Sequence, residues 1–186
     1  MRLFLDTNIL LYTQDSSEAP KRDRAMALLR EHAADDIVVS TQVLLEFYRN
    51  LLRKKLCTAA DAALLCGAWM EHEVVPVTPA LVASAIELHQ EKQLSIWDAL
   101  VLQAALEARC SVIYTEDLQH GMRVGPLRIV NPFLANEVHE PEAVYRVKRV
   151  ARKPTAATSL SAGKAAAPSS PAGKASSLPR RRRSPR

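Results

Sequence analysis

Cysteine is scarce in this 186-residue chain: Cys57, Cys66 and Cys110 are an odd number and form no CxxC pair. That argues against a disulfide framework and leaves them as core or idle thiols. The five histidines, His32, His72, His89, His120 and His139, are never closer than 17 residues and make no HxxxH, so a zinc site is disfavoured too. Neither GxxxxGK nor GxGxxG occurs, which removes a nucleotide P-loop and a dinucleotide fold, and without GxSxG there is no serine elbow. No apolar run approaches the ~18 residues that span a bilayer, and the apolar opening is interrupted by Asp6 too early for a signal peptide. The expected location is the cytoplasm, without membrane contact. Aromatic residues are only 5% of the chain, so the core is expected to be built of aliphatic layers.

What is present is globular in composition, 48% apolar and 24% charged, at a length suited to one domain with a tail. The net charge of +5 conceals two unlike parts. Residues 1–150 carry sixteen Lys and Arg against twenty Asp and Glu, a net of −4, whereas residues 151–186 carry nine Lys and Arg and no acid. That last segment is Ala, Ser, Pro, Gly, Lys and Arg with little to bury, and it is read as a disordered basic tail.

Short Val- and Ile-rich runs at 2–5, 36–40, 74–77, 111–115 and 127–131 alternate with apolar residues at helical spacing over 19–34, 41–55, 58–72, 79–92 and 95–110. Several of the helical runs follow a Ser, Thr or Pro suited to starting a helix. Such alternation predicts an α/β fold: a three-layer α/β/α arrangement with a mainly parallel five-stranded sheet. Sites in open sheets of this kind form beyond the carboxyl ends of the strands. Asp6 stands just after the first run and Asp117 just after the fourth.

Each acid has a structural excuse. Asp6 can cap the helix that follows, Asp117 can start a turn, and Asp98 stands three residues after Ser95 as in a capping box. Glu46 lies more than a turn inside "TQVLLEFYRNLL", far from any cap, where its ordinary reading is a surface residue or an ion pair with Arg49 or Arg53. Taken jointly, four acids on four elements can face one crevice, and their mutual repulsion calls for a cation. An all-oxygen set suits Mg2+ or Mn2+, ions that commonly act on phosphates. Lys21, Arg22 and Arg24 open one helix and Arg49, Arg53, Lys54 and Lys55 close another, as an RNA track or as a solvated face. Trp97 reads as a core residue ahead of a base-stacking platform.

The blocks "FLDTNILLY", "STQVLLEFYRNL", "LSIWDALVLQAAL" and "YTEDLQHG" resemble, in order and character, the motifs of PIN-domain ribonucleases, in particular the VapC-type toxins of toxin–antitoxin pairs. The resemblance spans about residues 1–135, with 136–150 as a connecting segment and 151–186 as an addition that compact members lack. It implies that Asp6, Glu46, Asp98 and Asp117 are the catalytic and metal-binding tetrad of an Mg2+- or Mn2+-dependent endoribonuclease. It further implies that Thr7, Asn8 and Thr115 support them, and that a small antitoxin and a second copy of the chain are partners. Glu116 fits the same motif without an assigned role. Arg49, Arg53 and the run Arg180, Arg181, Arg182 and Arg183 are candidate contacts to nucleic acid.

Two other readings compete. A PIN-like scaffold without catalysis would bind RNA or DNA through its basic tail, and a phosphatase with an Asp nucleophile would need a second acid where Asn8 stands.

Overall fold

The computed structural model describes residues 1–134; the segment 136–150, the basic tail and Arg180, Arg181, Arg182 and Arg183 lie outside them. In chain order the described residues form β1 (Arg2–Leu5), α1 (Thr7–Tyr12), α2 (Ala19–Glu31), β2 (Asp36–Ser40), α3 (Thr41–Arg53) and α4 (Ala59–Trp69), then β3 (Glu73–Val75), α5 (Pro79–Lys92), α6 (Ile96–Glu107), β4 (Val112–Tyr114), β5 (Arg123–Val124) and β6 (Leu127–Val130). Helix starts follow local chemistry: Ser40, Thr58, Thr78 and Ser95 each accept a hydrogen bond from a backbone amide of the helix they open.

The strands form one sheet in the order β3-β2-β1-β4-β6-β5, parallel except for the β5–β6 pair. The sheet therefore has six strands where the sequence predicts five. The added strand, Arg123–Val124, is two residues long and exists only as the antiparallel arm of a turn through Gly125, whose φ of 59° suits glycine. Two residues carry no periodicity to read.

Helix contacts fall into two groups, α1 with α2 and α3, α3 with α4, and separately α5 with α6. Right-handed crossovers explain the split. The chain steps from β1 to β2 to β3 in one direction and then returns past β1 to β4, so the later helices take the opposite face. Leu3, Phe4, Leu5, Val38, Val39 and Ile113 of the central strands are buried against Ile9, Leu10, Phe47 and Leu102 of the helices. That aliphatic core agrees with the low aromatic content. Among the described residues no helix is long and apolar enough to cross a membrane.

Candidate functional site

The strand order reverses between β1 and β4, and the crevice beyond their carboxyl ends is where α/β sheets place ligands. Register brings the first residues there together. Leu5 pairs with Tyr114, so the next residues, Asp6 and Thr115, lie side by side, and the Thr115 hydroxyl donates to Asp6 Oδ2 at 2.7 Å. Asp6 is also the N-cap of α1, accepting from the Thr7 amide at 2.6 Å.

From this pair the network extends outward. Asn8 Nδ2 donates to Thr115 Oγ1 at 3.2 Å and Asp117 Oδ2 at 3.1 Å, and lies 3.4 Å from Asp6 Oδ2. The Asp117 amide donates back to Thr115 Oγ1 at 3.1 Å. On the other flank, the Thr7 hydroxyl donates to Glu46 Oε2 at 3.2 Å. Gln42 Nε2 donates to Glu46 Oε1 at 2.9 Å and lies 3.5 Å from the Trp97 carbonyl, which ties α3 to the first turn of α6. Asp98 is fixed in that turn by the Ser95 hydroxyl at 2.7 Å.

Glu46, Asp98 and Asp117 line one open groove of about 720 Å3 together with Gln42, Arg49 and Trp97, and Asp6 joins them through Thr7 and Asn8. Burial dominates the electrostatics of Asp6. Burial raises the Asp6 carboxyl from 3.8 to about 6; the hydrogen bonds from Thr115 and Thr7 lower it, while the charges of Asp117 and Glu46 raise it further.

The donors at this crevice are carboxylate, hydroxyl and amide oxygens, with no thiolate or imidazole, and that chemistry fits a hard divalent cation. Two further observations agree with the fit. Asn8 Oδ1 and Gln42 Oε1 are buried without a hydrogen-bond partner, because both amides spend their nitrogens on the acids. Such orphaned acceptors are relieved by donors such as the water of a hydrated ion. No three His, Cys, Asp or Glu side chains among the described residues are close enough to hold one ion, and the Asn8 amide lies between Asp6 and Asp117.

Other residues fall differently from their sequence reading. Glu116 points away from this network and bonds Lys21 Nζ at 2.6 Å and the Tyr12 hydroxyl, and the pair holds the Lys21 ammonium well above its ordinary range. Arg24 pairs with Glu31 and Lys54 with buried Asp15. Lys21, Arg24 and Lys54 are therefore internal partners, while Arg49 and Arg53 are exposed and pair with no carboxylate among the described residues. Trp97 corrects the core reading: it is 62% exposed, because it precedes the buried run that begins at Ala99. Sequence reasoning missed Gln42 altogether. Its signal is the four-residue spacing to Glu46, which puts both on one face of α3.

A family model for the PIN domain matches residues 3–121. Among solved structures, the chain is similar to Mycobacterium tuberculosis VapC20, a sarcin–ricin loop cleaving toxin. The identity is 22% over 62% of this chain and 91% of the other, with a TM-score of 0.51. It is similar to VapBC2 of Rickettsia felis, bound to a promoter DNA fragment, at 18% identity over 69% of this chain and 97% of the other, with a TM-score of 0.51. A Klebsiella pneumoniae toxin–antitoxin complex gives 18% identity, 70% and 97% coverage, and a TM-score of 0.52. No curated protein matches.

Proposed function

Since the chain belongs to the PIN-domain family, we propose that it is a divalent-metal-dependent endoribonuclease that works as the toxin of a toxin–antitoxin pair. The observation that carries this reading is that Glu46, Asp98 and Asp117 line one groove at the strand-order reversal, with Asp6 joined to Asp117 through Asn8 and to Glu46 through its neighbour Thr7.

In this reading Asp6, Asp98 and Asp117 would hold Mg2+ or Mn2+, with Glu46 as a further ligand, direct or through water. When bound, the cation lowers the pKa of a water and offsets charge on the scissile phosphate. The chain's own groups prepare the ligands. Thr115 and the Thr7 amide keep Asp6 oriented, Thr7 and Gln42 hold the two oxygens of Glu46, and Ser95 holds Asp98. Asn8 spaces Asp6 from Asp117. No side chain acts as nucleophile, and Asn8 stands where a phosphatase of the Asp-nucleophile type needs a second acid.

The relatives that form toxin–antitoxin complexes support an antitoxin partner here, and a homodimer belongs to the same proposal. Exposed Leu64 of α4 and Met70 just beyond it supply apolar surface for such association. The deciding experiment incubates the chain with total RNA in Mg2+, in Mn2+ and in EDTA, with Asp6→Asn alongside. Metal-dependent cleavage lost in that variant supports the reading; equal cleavage in EDTA, or by Asp6→Asn at saturating metal, refutes it. Binding without cleavage under every condition favours the scaffold that binds through its tail.

A further inference from the structure

The proposed reading leaves one side of the groove without a task. Trp97 is 62% exposed and Leu45 71% exposed, and both line the same groove as the acids. An indole buries 150–250 Å2 when covered, roughly, so leaving most of it in water forfeits a large gain unless something covers it. Gln42 fixes where it stands, spanning Glu46 and the Trp97 backbone carbonyl. Trp97 also directly precedes Asp98 in the first turn of α6. Arg49, one turn beyond Glu46 on α3, lines the groove with its guanidinium unpaired among the described residues.

The occupant of such a groove must bring a flat apolar face for Trp97 and a negative charge for Arg49, next to an acid cluster suited to a phosphate-bound cation. An apolar helix satisfies only the first demand. A duplex keeps its bases stacked inside and offers no free face. Single-stranded nucleic acid satisfies all of them, since each base has a π-face and each linkage a negative phosphate. At about 720 Å3 the groove is within the roughly 300–1,000 Å3 range of ligand clefts.

We propose that Trp97 and Arg49 are substrate-positioning residues: the base next to the scissile phosphate stacks on the Trp97 indole while Arg49 contacts the adjoining phosphate. The inference rests on the ribonuclease reading for the identity of the strand, and on the exposure of Trp97 and the unpaired guanidinium of Arg49 for the two contacts.

The test uses the full chain in EDTA, where binding is read without cleavage. The chain has two tryptophans, Trp69 and Trp97, so Trp97→Phe leaves Trp69 as the only reporter. A single-stranded oligoribonucleotide is expected to quench the emission of the unaltered chain, with little effect on Trp97→Phe or when the strand is annealed to its complement. By anisotropy of labelled RNA, Trp97→Ala should weaken binding about ten-fold or more, while Trp97→Phe retains most of it. Arg49→Gln should lower the salt slope by about one contact. In Mg2+, the loss in Trp97→Ala should appear mainly in KM.

Unchanged affinity and KM in Trp97→Ala overturn the stacking, as does quenching by duplex equal to that by single strand. Trp97 emission that follows self-association in sedimentation, and not RNA, also overturns it and assigns the face to a second copy. If stacking is found and no divalent ion supports cleavage, the ribonuclease reading fails and the stacking stands.

Discussion

At the scale of single residues, a carboxyl buried among other carboxyls makes stability depend on pH in a defined direction. Asp6 has a folded pKa of about 6 against 3.8 for the exposed group, so the native state holds its proton more tightly than the unfolded one. Below pH 3.8 the group is neutral in both states and costs nothing. As pH rises through 4 to 6 the unfolded state ionises first and stability falls, levelling off above the folded pKa after a loss of about 3 kcal/mol. Asp6→Asn, which keeps the capping acceptor, is expected to abolish cleavage and to be more stable than the unaltered chain at pH 8 by up to that amount, with the gap closing at pH 4. Denaturant melts at the two pH values measure it. A destabilised Asp6→Asn at pH 8 would contradict the burial account.

Glu116 and Asp117 are neighbours in sequence with opposite commitments. Both Glu116 oxygens are taken, by Tyr12 and Lys21, while Asp117 is exposed at the groove. Glu116→Gln is expected to leave metal affinity and cleavage within a few-fold, whereas Asp117→Asn abolishes cleavage. Titration of Mn2+ alongside turnover distinguishes the two.

At the scale of elements, the capping and catalytic readings of the acids turn out to be compatible. Asp6 is an N-cap, Asp98 belongs to a capped first turn, and Asp117 sits in a turn closed by Thr115. Helix starts and strand ends are where backbone groups need side-chain partners and also where this fold opens its crevice, so one local signal serves both. That is why Asp6, Asp98 and Asp117 stand out as candidates in their blocks. Glu46 is a candidate for the opposite reason, since nothing local accounts for it.

The remainder was not legible because it depends on distance in space. The Asn8 bridge to Asp117 joins residues 109 positions apart, and no pattern around Asn8 encodes it. The exposure of Trp97 depends on which face of α6 is buried, a run that begins only at Ala99, and its apolar neighbours mislead any reading of the sequence alone. Ser95 makes an element-level prediction. Ser95→Ala removes the cap of α6 and the hydroxyl that holds Asp98, so stability should fall by about 1 kcal/mol in thermal melts, with reduced cleavage at limiting metal.

For the whole molecule, charge is divided: residues 1–150 carry −4 and the last 36 carry nine positive charges. A polyanionic substrate gains little long-range attraction from the acidic part. Deleting 151–186 is therefore expected to preserve cleavage of a short oligonucleotide at low salt while weakening binding of long RNA and flattening its salt dependence, as followed by filter binding across 50–200 mM salt. Loss of cleavage on the short substrate would show that the tail belongs to the catalytic unit.

The pairing of β1 with β4 carries a consequence for the order of events during synthesis. Asp6 leaves the ribosome early, but the hydroxyl that donates to it belongs to Thr115, so the Asp6 side of the crevice closes only once the β4 turn has emerged. A nascent polypeptide that ends before Thr115 therefore carries an incomplete crevice.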